Sequence, residues 1–188
     1  MSAEILKLGA NELISPLTTI INKSISTGQF PDYWKEAIVK PLWKNKGGKE
    51  DMKNYRPVAL LCLPGMVLER TVAKQLENHL DTSNIFGDFQ FGFRNSRSTQ
   101  TAIATICCVA QRENYKRKNV GMTMFDLSAA FDTIEKNTIC KKLALMDIHE
   151  STINWIDSYL SNRKQRVKVG GKVSQPNLIP FAHHKDQD

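Results

Sequence analysis

Two short β-branched runs, AIVKPLW (37–43) and YRPVALLC (55–62), stand either side of a polar stretch with a glycine pair, KNKGGKEDMKN (44–54). Each run has the length of a strand, and each carries a proline. Proline offers no N–H to a ladder, which confines it to edge strands, strand starts and bulges. Pro41 therefore predicts an edge position for the first run, and Pro57 marks the start of the second. The segment between them has no periodicity and reads as a loop. The result is a finger-like hairpin in which Lys40, Lys44, Lys46, Lys49, Lys53 and Arg56 outnumber Glu50 and Asp51. A mobile basic hairpin can close over a triphosphate and neutralise it. A plain solvated loop has the same composition. Arg56 stands apart from the lysines: it enters a strand expected to be buried, which predicts a fixed side chain.

Helical periodicity dominates the rest. Residues 4–27 repeat Ile and Leu at helical spacing, with Gly9 and Pro16 as expected breaks and Gly28 and Pro31 as the stop. Met66–Leu80 is amphipathic. Residues 99–114 form another helix, capped by Ser98 or Thr99, and YKRKN (115–119) is a basic turn. VGMTMFDL (120–127) reads as a strand. A helix over 132–148 is expected to start with Asp132 as N-cap and Glu135 completing a capping box, and one over 151–162 with Ser151 as cap. RKQRVKVGGKVSQ (163–175) alternates cations with Val around Gly170-Gly171, a two-residue hairpin signal. The expected fold class is α+β, helix-rich with a small sheet.

The chain has 188 residues, enough for one domain or two small subdomains, and its 41% hydrophobic content excludes a disordered or fibrous chain. A formal charge of +7 favours a polyanionic partner, nucleic acid or an anionic membrane surface. Cys62, Cys107, Cys108 and Cys140 form no C-x-x-C pair. Cys107 and Cys108 read as reduced thiols packed as small hydrophobes in an intracellular protein. His79, His149, His183 and His184 lack zinc-finger spacing. VALLCLPGMVL (58–68) is too short to span a bilayer and is interrupted by Pro64 and Gly65, so no membrane is expected.

GMTMFDLSAAFDTI (121–134) places Asp126 at a predicted strand end, followed by small residues that suit close approach of a bulky anion. Two-metal phosphoryl transfer needs carboxylates that clamp ions about 4 Å apart, and Asp126 alone cannot do this. Its other reading is a turn residue accepting backbone N–H bonds. FGFRNSRST (91–99) interleaves Phe91 and Phe93, preceded by Phe89, with Arg94 and Arg97. Such groups stack on bases and pair with phosphates, or else the rings are core and the arginines cap the next helix.

Taken in order, FPDYWKEAIVKPLWKNKGGKEDMKNYRPVALLCLPGMVLERTVAKQL, QFGFRNSRSTQTAI, MTMFDLSAAFDTI and YLSNRKQRVKV resemble successive blocks of the reverse transcriptase of non-LTR retrotransposons, of the jockey-like kind. The resemblance covers residues 5–176. It implies a right-hand polymerase fold: fingers with an N-terminal helical segment over 1–119, a partial palm over 120–175 with an incomplete antiparallel sheet, and a divergent tail over 176–188. It implies DNA synthesis from dNTPs on an RNA template with a DNA primer and Mg²⁺. Asp126 matches the first metal-binding aspartate of the F-D-L-S-x-A-F-D block. Phe131 matches the aromatic under the sugar that rejects a 2′-hydroxyl. The backbone from Leu127 to Phe131 would lie near the triphosphate. Arg56 of the Y-R-P block and Arg94 of the G-F-R block match nucleotide or template contacts.

The family continues into S-G-V-P-Q-G and Tyr-x-Asp-Asp blocks, whereas this sequence reads NLIPFAHHKDQD. The expectation is a truncated domain that binds Mg²⁺ weakly through one carboxylate and does not turn over alone. A second chain supplying the missing palm would complete it. The alternatives are a non-catalytic RNA/DNA-binding remnant and a decayed fragment with no molecular role.

Overall fold

The computed structural model describes residues 3–127 and 133–179. Along them run α1 (Ala3–Leu8), α2 (Ala10–Thr27), β1 (Glu36–Trp43), β2 (Tyr55–Leu60), α3 (Leu63–Thr82), α4 (Thr99–Tyr115), α5 (Lys136–Leu145), α6 (Glu150–Leu160), β3 (Lys164–Val169), β4 (Lys172–Val173) and β5 (Asn177–Leu178). The class is mixed α and β. Two compact units divide the chain: one comprises Met1–Gln75 with Phe131–Asp188, the other Leu76–Ala130.

The discontinuous unit holds the sheet, ordered β2-β1-β3-β4, with β5 also on β3. β1 and β2 pair antiparallel, with Pro41 opposite Pro57 and Trp43 opposite Tyr55. β1 and β3 pair parallel, from Glu36 beside Lys164 to Val39 beside Val167. The sheet is therefore mixed, not antiparallel. A parallel pair needs a long crossover rather than a turn, and here the crossover runs from β1 to β3 through most of the sequence. The expected edge position of β1 is corrected too: it lies between β2 and β3. Pro41 is tolerated because the β3 pairing ends at Val39. The β3–β4 hairpin forms as its glycine pair predicts, with Gly170 at φ 53° and Gly171 at φ 82°.

The core is aromatic. Phe30, Leu68, Val72 and Trp155 are buried, with Ile21, Ile25, Trp34, Ile156 and Tyr159 packed against them. Phe30 meets Trp155 and Tyr159 edge-on at ring-centroid distances of 5.5 and 5.1 Å, and those two rings stack 5.5 Å apart. Such edge and offset arrangements suit the ring quadrupoles. The indole N–H of Trp155 donates to Ser24 Oγ at 2.9 Å, and Ser24 Oγ donates to the Gln29 carbonyl at 2.6 Å. Gly28 makes this approach possible: it ends α2 at φ 65°, and a Cβ there would lie 3.2 Å from the Ser151 carbonyl.

Beside the aromatic cluster, Glu69 of α3 sits between Tyr159 and Arg163. Burial pushes its carboxyl above the ordinary range, while the Tyr159 hydroxyl and the Arg163 charge pull it back. The guanidinium stands 4.0 Å from Glu69 Oε1, near enough for charge attraction and too far for a hydrogen bond, and that buried oxygen has no hydrogen-bond partner among the described residues. The same guanidinium donates to the Tyr159 carbonyl at 3.1 Å and lies 4.6 Å from the Tyr159 ring.

Several local expectations change. Gly9 does interrupt the first helix, but Pro16 does not: it lies inside α2 on an exposed face, where the Glu12 carbonyl it leaves without a donor meets water. α5 begins at Lys136 with Glu135 in the cap position and no side-chain cap bond. The expected cap, Asp132, lies outside the described residues. α6 is capped by His149, whose Nδ1 accepts from the Ser151 N–H at 3.2 Å, rather than by Ser151. Ser98 caps α4 with Thr101 in a reciprocal capping box. Cys107 and Cys108 are exposed, because α4 has no buried residue; they are not packed as small hydrophobes.

Candidate nucleic-acid interface

In the sheet, alternation along β1 separates two faces. Ala37 and Val39 are buried, while Glu36, Ile38, Lys40 and Leu42 point the other way and are exposed. Lys40 lies opposite Val58, and Leu42 opposite Arg56, so Lys40 and Arg56 stand on the exposed face. Arg56 is exposed and makes no ion pair among the described residues, which corrects the expectation of a side chain held in place by a buried strand. The reason is that β2 is an edge strand without a buried residue.

The tip between β1 and β2 is closed by its own hydrogen bonds. Lys44 N–H donates to the Asn54 carbonyl at 2.8 Å, Asn54 Nδ2 to the Gly48 carbonyl at 2.8 Å, and the Tyr55 hydroxyl to the Lys49 carbonyl at 3.0 Å. The Lys49 ammonium lies 5.0 Å from the Trp43 ring. A Cβ on Gly47 would press on the Asn54 side-chain amide, so a larger residue there has to displace that amide.

At the base of β1 a cleft of about 850 Å³ is lined by Ile38 and Leu60 of the exposed face, together with Lys35, Leu63, Asn162 and Lys164. Lys35 is buried and pairs with exposed Asp32 at 2.8 Å. That hydrogen bond, reinforced by the ammonium charge, holds the Asp32 carboxyl below the usual carboxylate range. Neither Lys35 nor Asp32 was singled out by sequence reasoning. Their i, i+3 spacing in the short 3₁₀ turn Asp32–Trp34 was the available signal.

The Leu76–Ala130 unit holds Arg94, Arg97, Asp126 and Leu127. Arg94 donates to Asp81 Oδ1 at 3.0 Å and to the Gly87 carbonyl at 3.4 Å, and lies 4.8 Å from the Phe86 ring. Arg97 donates to the Asp88 carbonyl at 2.8 Å and lies 5.0 Å from Phe91. Both guanidiniums thus stack on the protein's own rings, and neither caps α4. Phe89 and Phe93 are exposed, which excludes them from a core.

Asp126 and Leu127 are exposed, and residues 120–127 form no strand. The expected strand fails because strand preference is a preference for packing against neighbours. Val120, Met122 and Met124 are exposed, and no described strand pairs with them. Phe131 and Asp132, and the amides of 128–131, lie outside the described residues, as do His183 and His184. Among the described residues no three His, Cys, Asp or Glu side chains gather in one place. Asp126 by itself therefore does not fit the multi-carboxylate requirement of a two-ion centre. No described helix is long and apolar enough to cross a membrane.

A profile of the family described as reverse transcriptase (RNA-dependent DNA polymerase) matches residues 44–181. The chain is 26% identical over 177 residues to the RNA-directed DNA polymerase from mobile element jockey of Drosophila melanogaster, an alignment covering 94% of this chain and 19% of that protein. It is 24% identical over 174 residues to the jockey polymerase of Drosophila funebris, covering 93% and 19%. To the retrovirus-related Pol polyprotein from type-1 retrotransposable element R2 of Popillia japonica it is 27% identical over 143 residues, covering 76% and 19%. The chain thus spans about a fifth of the length of the curated relatives it matches.

Proposed function

The chain belongs to the reverse transcriptase (RNA-dependent DNA polymerase) family, and from that premise we propose that it is the part of a mobile-element polymerase that holds template, primer and incoming nucleotide. One observation carries the reading: the family match runs unbroken across Arg56, Arg94, Asp126 and Phe131. On this reading residues 1–119 serve as fingers, 120–175 as the first half of a palm and 176–188 as a tail outside both. Arg56, exposed on its edge strand, is free to neutralise phosphate on an RNA template or a dNTP. Arg94 contributes a second guanidinium, provided a phosphate displaces Asp81 from it. Leu127 offers its backbone near the triphosphate, and the Phe131 ring supports the sugar.

Asp126 is one carboxylate ligand for Mg²⁺. When bound, such ions stabilise the attacking and leaving oxygens of an in-line displacement. Further carboxylates have to come from outside the described residues, and a second chain supplying them would complete the centre. Alone, an exposed carboxylate holds hydrated Mg²⁺ weakly.

The test is binding of an RNA template annealed to a DNA primer, followed by primer extension with Mg²⁺. Tight binding that weakens steeply with salt is expected, without extension. Absence of binding at about 50 mM salt overturns the binding role, since counter-ion release should be strong there. Extension by this chain, abolished in Asp126→Ala, overturns the claim that further carboxylates are supplied from elsewhere.

A further inference from the structure

We propose that the β3–β4 hairpin belongs to the nucleic-acid surface, with Lys164 and Lys168 extending the Arg56 and Lys40 face so that one single strand of nucleic acid lies across the sheet. This rests on the reading above and adds residues to it.

The parallel pairing of β3 on β1 carries the assignment. Glu36 stands beside Lys164 and Ile38 beside Arg166, so Lys164, Arg166 and Lys168 share the exposed face with Glu36, Ile38 and Lys40. Lys40, Arg56, Lys164, Arg166 and Lys168 then occupy three adjacent strands. Two acids border this face: Glu36, which Arg166 already neutralises through an Nε–Oε1 bond of 2.7 Å, and Asp32, which lines the cleft with Lys164 and is paired with Lys35 at 2.8 Å. Lys40, Arg56, Lys164 and Lys168 are exposed and make no ion pair among the described residues. A cationic face of this kind attracts a polyanion.

Apolar side chains decide between one strand and a duplex. Ile38, Leu42 and Leu60 are exposed among these cations, and Ile38 and Leu60 line the 850 Å³ cleft with Lys164. A duplex presents phosphates and hides its base faces, whereas an unpaired strand splays its bases against a sheet and its phosphates against the flanking cations.

The hairpin supplies its own control. Lys172 lies opposite Val169, and Lys168 opposite Val173, so Lys172, the first residue after the turn, is on the other face of the sheet from Lys168. The full chain is titrated with a fluorescent oligouridylate of about 20 nucleotides over a range of salt, since each phosphate contact contributes about 0.7 to the log–log slope for single strands. Lys164→Gln with Lys168→Gln should lower the slope by about 1.4, and Lys172→Gln should leave it unchanged. Thermal melts of each variant verify folding. Equal effects of Lys168→Gln and Lys172→Gln overturn the face assignment. Binding by the native chain that ignores Lys164 and Lys168 overturns the proposal while leaving the parent reading intact, and no binding by the native chain overturns both. Tighter binding of a duplex of the same length, or of anionic phospholipid vesicles, also overturns it.

Discussion

Pro41 lies directly opposite Pro57 in the β1–β2 ladder. The Lys44 N–H donates to the Asn54 carbonyl in the same register, so hydrogen-bonded pairs fall at Lys44–Asn54, Leu42–Arg56 and Lys40–Val58. Pro41 and Pro57 occupy the alternate, non-bonded pair, where both backbone nitrogens face outward. On β1 that outward side faces β3, whose pairing stops one outward site earlier, at Val39. On β2 it faces the free edge.

Pro57 therefore removes the middle donor from the open edge, whose outward residues are Tyr55, Pro57 and Ala59. Pro57→Val restores that donor. The expected result is concentration-dependent self-association in sedimentation velocity at about 50 µM, with monomer stability altered by no more than about 1 kcal/mol. A variant that stays monomeric would show that the edge is guarded by something other than this proline.

Ser24 joins α2 to α6 through the Trp155 indole and to the α2 exit through Gln29. Ser24→Ala strands a buried indole N–H and is expected to cost about 1–3 kcal/mol in urea unfolding. Leu68, fully buried in the same cluster, should cost about 2–5 kcal/mol as Leu68→Ala. Similar losses for Ser24→Ala and an exposed control such as Ser26→Ala would refute the hub.

Glu69 should make stability pH-dependent. Burial raises its carboxyl in the folded chain, so above the unfolded value of about 4.3 the folded chain binds more protons than the unfolded one. Stability from this group is fullest below that pH and falls as pH rises through the folded value. Glu69→Gln should flatten this fall in chemical-denaturation curves taken from about pH 4 to pH 7. The facing Tyr159 hydroxyl, pushed up by burial, stays neutral throughout that range. An unchanged slope would mean that Glu69 is not the group responsible.

Asp81 competes with phosphate for Arg94. Asp81→Asn is expected to raise affinity for an RNA–DNA template–primer a few-fold, while costing less than about 1 kcal/mol, because the Asp81 carboxylate is partly exposed. Affinity unmoved both by Asp81→Asn and by Arg94→Gln would assign Arg94 to holding the 83–97 loop.

Part of the turn and cap chemistry was legible residue by residue, although the starts of α5 and α6 were not. Gly28 stops α2, Ser98 caps α4 and Gly170-Gly171 turns a hairpin, each through a conformation or hydrogen bond confined to a few neighbours. What could not be read was pairing at a distance. Nothing near Glu36 announces Lys164, so β1 was expected at an edge and the sheet as antiparallel. Arg56 was expected to be held in place because the strand it enters was expected to be buried, yet a strand is buried only if something covers it, and β2 has one neighbour. The exposed run 120–127 makes the same point, for a β-branched or apolar sequence specifies no partner by itself.

Glu36 and Arg166 are 130 positions apart, yet they clasp across adjacent strands. A ribosome delivers β1 and β2 long before β3 exists. Throughout that interval the nascent ribbon shows a bare inner edge, and Phe30 waits for Trp155. Loop closure of this length comes late and slowly, leaving apolar surface uncovered in the meantime. The newborn polypeptide thus stays prone to aggregation until α6 and β3 have both been translated.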